Sequence, residues 1–224
     1  MKKIIPLNKT FLYFLAVLIL IVLAVTFFVL KKPAEEYFLD VQVDEQTRQE
    51  LETRIAQNLE IFKEFPKDYN ALLDMGNIEA TLGNASQAID YFKKAWEAIP
   101  TNATPWLNIG NIYIRLGMYR EAEQAFLKAK DVNRGYYFVY FNLAKLYKDY
   151  LTEKSDKVRT VYLEGLKNTD NDPQLLYFFS TYLGETGNYS EAIEYMKAFM
   201  DKTVDPSDIQ NALKKIEEWE SQLK

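Results

Sequence analysis

A pattern that recurs at an interval of 34 residues limits this chain more than any other feature in it. Leu73 and Leu107, Gly76 and Gly110, Asn77 and Asn111, Ile78 and Ile112, Gly83 and Gly117, Ala88 and Ala122, Phe92 and Phe126, and Ala95 and Ala129 all pair at that spacing. Within 103–136, Trp106, Ile109, Gly110 and Tyr113 fall on one face of a helical period, Gly117 interrupts it, and Ala122, Phe126 and Ala129 fall on one face of a second period. The unit is therefore helix, turn, helix. A lone helical hairpin cannot bury its apolar face, so such units must stack on one another.

Four hairpins follow from the spacing, over 69–102, 103–136, 137–172 and 173–206. The first runs between Pro66 and Pro100, with Gly76 and Ala88 expected as the small pair that lets its two helices approach. The third is distorted: Tyr140, Leu143, Ala144 and Tyr147 keep the register, no turn glycine follows, and Val158, Tyr162 and Gly165 regain it two residues late. A longer first helix or a wider turn is expected near Leu151–Asp156. The fourth begins at Pro173 and turns at Gly187 and Tyr189.

Before the hairpins, Asp44 caps a predicted helix over 45–66 whose Leu51, Ile55, Leu59 and Phe62 form one stripe. After them, Asp205-Pro206 opens a capping helix over 207–224, with Ile209, Leu213, Ile216 and Leu223 on its apolar side.

This pattern resembles the tetratricopeptide repeat family over about Tyr69 to Val204. The resemblance implies an all-α fold, a right-handed superhelix of about four stacked hairpins plus the capping helix. It also implies a concave groove, lined by the first helix of each hairpin, that holds an extended peptide or a partner's helix. Carried over by position, the groove residues are Leu73, Asn77 and Thr81, then Leu107, Asn108, Asn111 and Arg115, then Phe138, Phe141, Asn142 and Lys145, then Tyr177, Thr181 and Glu185. Some family members clamp a C-terminal carboxylate. Asn77 and Asn108 match two of that clamp's asparagines, but Leu73, Phe138 and Asn142 stand where it needs bases, so that ligand mode is not expected. The run Tyr136–Phe141 is the densest aromatic patch, with Tyr140 expected in the core and Phe138 and Phe141 lining the groove.

The chain has no cysteine and no histidine, which removes thiol nucleophiles, thiolate metal sites, disulfides and imidazole acid–base chemistry. No Gly-rich nucleotide loop occurs, and no acidic pair is set apart for proton transfer. Five of the 27 bases lie at Lys2, Lys3, Lys9, Lys31 and Lys32, and the first 32 residues hold none of the 32 acids. The remainder carries 22 bases against 32 acids, a net of −10, unlike a nucleic-acid binder. No cofactor, metal, nucleic-acid partner or catalytic residue is expected. The expected role is a protein or peptide interaction module, as scaffold, assembly factor or adaptor. The alternative is a structural subunit that oligomerises without a peptide ligand, and an enzyme is the remote third.

Phe11–Leu30 is an uninterrupted 20-residue stretch without charge, Gly or Pro, long enough as a helix to cross a bilayer. It is longer than the apolar part of a cleaved signal peptide and runs on past Ala24-Val25-Thr26, which favours an uncleaved anchor over 1–32 with a linker at 33–44. Three lysines precede the span and two follow, so the charge bias favours a single-pass membrane protein with an extracytoplasmic repeat domain, without excluding the cytoplasmic side.

Overall fold

The computed structural model describes residues 17–19 and 36–224, and the chain divides into two units, Met1–Tyr37 and Phe38–Lys224. In the first unit Val17, Leu18 and Ile19 are helical and exposed. The expected membrane span at 11–30 otherwise lies outside the described residues. The expected localisation, a single-pass membrane protein with its repeat domain beyond the bilayer, is overturned: among the described residues no helix is long and apolar enough to cross a membrane.

Among the described residues, the second unit is all α-helical apart from turns. It consists of α1 (Glu45–Glu64), α2 (Tyr69–Thr81), α3 (Ala85–Ala98), α4 (Thr104–Arg115), α5 (Tyr119–Val132), α6 (Tyr137–Asp149), a 3-10 turn (Thr152–Lys157), α7 (Val158–Asn168), α8 (Pro173–Glu185), α9 (Tyr189–Met200) and α10 (Pro206–Ser221). Carboxylate caps start four of these helices. Asp44 accepts from the Thr47 N–H at 2.8 Å, Asp68 from Ala71 at 2.8 Å, Asp172 from Gln174 at 2.9 Å and Asp205 from Ser207 at 2.8 Å, each satisfying an orphan donor.

The first two hairpins are each held by a small residue on the first helix facing a large one on the second. A Cβ built on Gly76 would sit 2.5 Å from Cε1 of Phe92, and one on Gly110 would sit closer still to Phe126. Gly76 therefore makes room for an aromatic ring rather than for Ala88, the partner that the sequence pattern suggests. The reason is geometric: a phenylalanine edge cannot reach the facing helix past any side chain. Ser180 takes this place in the fourth hairpin, its hydroxyl donating to Tyr177 O at 2.9 Å and lying 3.7 Å from Met196 Sδ. In the third hairpin a small residue sits on the second helix instead, where a Cβ on Gly165 would meet Tyr140 Cγ at 2.6 Å.

The third hairpin contains the wider turn rather than a longer helix. After α6, Leu151 turns inward and is buried, and the 3-10 turn follows. Lys154 of that turn donates to Glu123 of α5 at 2.6 Å, and Tyr147 Oη donates to the same carboxylate at 2.6 Å. The two additional residues thus place a cation on the preceding hairpin.

Three features depart from the sequence pattern at the two ends. On α1, Leu51 is buried and Ile55 and Phe62 pack with it against Met75 and Ile78, but Leu59 is exposed and Asn58 takes the inward place. Asn58 is tolerated there because its Nδ2 donates to Asp74 at 2.8 Å, a carboxylate that also pairs with Arg54. On α10 the inward stripe is Ala212, Ile216 and Trp219, with Leu213 exposed, and Leu223 lies exposed beyond the end of the helix. The Trp219 indole lies over Gly184, which supplies the area that the leucines were expected to give. Finally, the residues before α1 are packed rather than a free polar connection. Leu39 is buried, its N–H donates to Gly83 O at 2.7 Å, and Val43 joins the α1–α2 core.

Candidate functional site

The helices that open the hairpins, α2, α4, α6 and α8, carry the polar and aromatic side chains that packing does not use. On α4 the face opposite Ile109 and Ile112, which are buried, presents Asn108, Asn111 and Arg115. On α6 the face opposite Val139, Tyr140 and Leu143 presents Phe138, Phe141, Asn142 and Lys145. The 3.6-residue period makes this division unavoidable once the core stripe is set.

Two adjoining hollows lie along these helices. The first, about 250 Å³, is lined by Thr104, Leu107, Asn108 and Asn111 from α4, with Tyr136, Phe138, Phe141 and Asn142 from the start of α6. The second, about 120 Å³, is lined by Asn77 and Ala80 of α2, Phe92 of α3, and Asn108, Asn111, Ile112 and Arg115 of α4. Asn108 and Asn111 belong to both and form the ridge between them. Among the described residues no acid lines either hollow.

Eight of the ten residues singled out from sequence, namely Asn77, Leu107, Asn108, Asn111, Arg115, Phe138, Phe141 and Asn142, line these hollows. The other two do not. Lys145 is turned to Asp149 one helical turn on, at 2.5 Å, and Tyr177 packs half-buried against Phe199 with ring centroids 5.3 Å apart. Of the further groove positions, Glu185 pairs with Lys148 at 2.8 Å, Thr81 donates to Asn77 O at 2.9 Å, and the buried Thr181 hydroxyl has no partner among the described residues.

The side chains in the hollows differ in how far they are already committed. Asn142 Nδ2 donates to Phe138 O at 2.7 Å, and its carbonyl oxygen, an acceptor, has no partner among the described residues. Asn108 Nδ2 reaches Asn77 Oδ1 only at 3.4 Å, a long and weak bond. Asn111 is exposed and has no side-chain partner among the described residues. Arg115 donates to the Ala80 carbonyl at 3.2 Å and has no carboxylate partner among the described residues. Leu107 is buried and forms part of the floor.

The aromatic wall is built in two layers. Phe141 packs on Phe178 of α8 with centroids 4.1 Å apart, so it belongs partly to the contact between hairpins. Phe138 stacks on Tyr137 at 4.3 Å and meets Tyr136 edge-on at 5.6 Å, yet remains 38% exposed. Behind them Tyr140 is fully buried. Its hydroxyl donates to Arg134 O at 2.9 Å and accepts from Asn168 at 2.8 Å, and burial pushes its pKa above the usual phenol value.

Sequence reasoning missed Thr104, Tyr136, Ala80, Phe92 and Ile112 as lining residues. Thr104 and Tyr136 stand just at or before the starts of α4 and α6, where the chain enters the groove from the preceding turn. Their places at the mouths of the first helices were the available signal. Among the described residues no cluster of three or more His, Cys, Asp or Glu could hold a metal ion.

Comparison with known proteins agrees with this architecture. Residues 79–146 match the family described as tetratricopeptide repeat. No curated protein matches the chain. Among solved structures, a thermophilic tetratricopeptide-repeat protein of Thermus thermophilus is similar at TM-score 0.55 and 16% identity, over 76% of this chain and 93% of that one. The pilF protein of Pseudomonas aeruginosa is similar at TM-score 0.54 and 17% identity, over 80% and 85%. MamA is similar at TM-score 0.51 and 20% identity, over 72% and 96%. At these identities the likeness is one of fold. Residues 79–146 are thus similar to the tetratricopeptide repeat, and the described residues 38–224 form an all-α solenoid with the fold of those structures.

Proposed function

We propose that this chain is a non-catalytic interaction module that holds an extended peptide segment of a partner protein across α2, α4 and α6. The observation that carries the reading is the ridge of Asn108 and Asn111 between two hollows. A peptide crossing it exchanges N–H and C=O bonds with the two amides, since an amide side chain offers both a donor and an acceptor. An apolar side chain of the peptide then enters between Leu107, Phe138 and Phe141, the kind of aromatic pocket that anchors binding hot spots. Asn108, Asn111, Arg115 and Phe138 are side chains that the core leaves free, so at these positions binding and folding make separate demands on the sequence.

The test is a selection from a displayed random dodecapeptide library on the immobilised full chain. Enriched peptides are then crosslinked to a variant carrying photoreactive p-benzoylphenylalanine in place of Phe138, and to a control with the same group in place of Lys167, which is exposed on α7. Crosslinking at the first position and not at the second is the expected result. Equal labelling at both positions, or no enriched peptide, would refute the groove as the binding site.

A further inference from the structure

The two hollows differ in chemistry, and that difference carries a recognition rule. The hollow between α4 and α6 has an aromatic wall, whereas the hollow between α2 and α4 has a cation at its end and no aromatic side chain other than Phe92, which the core holds. Among the described residues Arg115 is the one formal charge lining either hollow. Its guanidinium meets a backbone carbonyl rather than a carboxylate, so its charge is solvated by the protein but not neutralised. Of the neighbouring bases, Lys145 and Lys148 are already paired with Asp149 and Glu185. Positive potential at the groove is therefore concentrated at Arg115.

Phe138 stands at the start of α6 and Arg115 at the end of α4, eleven residues apart in the 34-residue register, or about 16 Å along the helices at about 1.5 Å per residue, and neighbouring helices lie about 8–10 Å apart. An extended chain advances about 3.3 Å per residue, so about five residues carry it from one side chain to the other. From this geometry we infer that the groove selects peptides in which a bulky apolar residue and an acidic residue stand about five positions apart, the apolar side chain against Phe138 and the carboxylate on Arg115. The inference rests on the peptide-binding reading above and adds its specificity.

Three consequences distinguish it from a groove that merely accepts apolar segments. The acid cannot bind in the first hollow, where burial against Leu107 and the aromatic wall would desolvate it without a cation. Nor can a basic residue replace it in the second, because it would face Arg115. The rule also needs no C-terminal carboxylate, so internal segments of a partner qualify.

The dodecapeptide selection tests it directly, run in parallel on the full chain and on its Arg115→Glu and Phe138→Ala variants. The unaltered chain is expected to enrich a large apolar residue with Asp or Glu about five positions away, in either chain direction. Replacing that acid by Ser in a synthetic, end-blocked peptide should weaken binding about fivefold, an effect that shrinks as salt is raised. The Arg115→Glu variant should enrich Lys or Arg at the same place while keeping the apolar residue, and Phe138→Ala should lose the apolar preference while keeping the acid. Because both side chains are exposed, circular dichroism melts of the two variants should match the parent. Enriched peptides without an acid at that spacing, or an unchanged acid preference in Arg115→Glu, would overturn the inference while leaving peptide binding intact. A selection that enriches nothing overturns both.

Discussion

The first two hairpins and the last two are built on one plan but fastened by different forces. In the first pair, glycine faces phenylalanine twice at a strict 34-residue spacing, and the contact between hairpins is made by packing and weak polar bonds. Trp96 meets Trp106 edge-on at 5.6 Å, Asn108 approaches Asn77, and Arg115 caps the Ala80 carbonyl. Among the described residues no ion pair joins these two hairpins. From α5 onward four such pairs appear, Glu123–Lys154, Lys130–Glu164, Lys148–Glu185 and Arg159–Glu191, each bridging one hairpin to the next. The regular half relies on shape, and the irregular half tolerates looser shape because charge holds its spacing. The same difference bears on the groove: α4, whose side chains enter no ion pair among the described residues, is where two amides and a cation remain free for a partner.

Gly110→Val tests the shape side of this comparison and should have the largest effect. Its branched side chain would occupy the space of the Phe126 ring, and neither helix can retreat without opening the stack. A loss of about 3 kcal/mol is expected in urea unfolding. Ser180→Ala, at the corresponding place of the fourth hairpin, should cost under about 1 kcal/mol, because Met196 is flexible and already accommodates a Cβ. Equal losses at the two sites would show that the hairpins do not differ in the way described.

Turn glycines sharpen the comparison at the N-terminal end. Gly83, Gly117 and Gly187 all have positive φ, at 90°, 72° and 79°, so alanine at any of them should cost about 1 kcal/mol in backbone strain. At Gly117 and Gly187 a Cβ meets nothing within 4 Å, but at Gly83 it would lie 2.8 Å from Leu39 O and 2.9 Å from Val41 Cγ2. Gly83→Ala should therefore lose about 2 kcal/mol and release the amide of Leu39 to hydrogen exchange. If all three substitutions behaved alike, the packing of residues 38–43 onto the first turn would be without energetic weight.

Much of this arrangement is legible in the sequence, and the exceptions have physical causes. The 34-residue register locates every hairpin and the shift of two residues in the third, because stacked helices cannot hide their period. It does not say what Gly76 faces, since a small residue signals close approach without naming the partner. Asn58 and Leu59 exchange places because a buried amide beside Asp74 satisfies its bonds, and apolar periodicity scores only the leucine. Leu39 sits in a stretch that reads as a polar connection because one buried leucine in an extended segment has no period at all. In the groove, Asn108, Asn111, Phe138 and Arg115 can be placed from the register alone. Lys145 and Tyr177 cannot, because their commitments to Asp149 and Phe199 depend on side-chain reach rather than on the face of the helix.

Charge in the irregular half is tested at Glu123. Burial raises the pKa of this carboxyl, but hydrogen bonds from Lys154 and Tyr147 outweigh it and hold the group below its usual 4.5. A carboxyl depressed in the folded state stabilises it above the unfolded pKa, and that contribution fades as pH falls through the lower, folded value. Glu123→Gln should cost about 1–2 kcal/mol near neutral pH, and the gap between variant and parent should narrow as pH falls from about 6 to about 3. Protection of the Thr152–Lys157 amides should fall in the same variant, since Lys154 would lose its anchor. A gap that stays constant with pH would mean that the 3-10 turn is held by Leu151 alone.

The smallest stability effects are expected in the groove, and their smallness is what makes the proposed site testable. Phe138→Ala and Arg115→Ala remove exposed side chains whose contacts are neighbouring tyrosines and one backbone carbonyl, so each should shift stability by no more than about 0.5 kcal/mol. Phe141→Ala lies only three residues from Phe138 but should lose about 2 kcal/mol, because its half-buried ring fills the contact with Phe178 between the third and fourth hairpins. Thermal melts of the three variants would therefore rank Phe141 with the core and Phe138 and Arg115 with the surface. A Phe138→Ala loss approaching that of Phe141→Ala would place Phe138 among the residues that hold the third hairpin together, and the groove would then lack an aromatic wall built for a partner rather than for the fold.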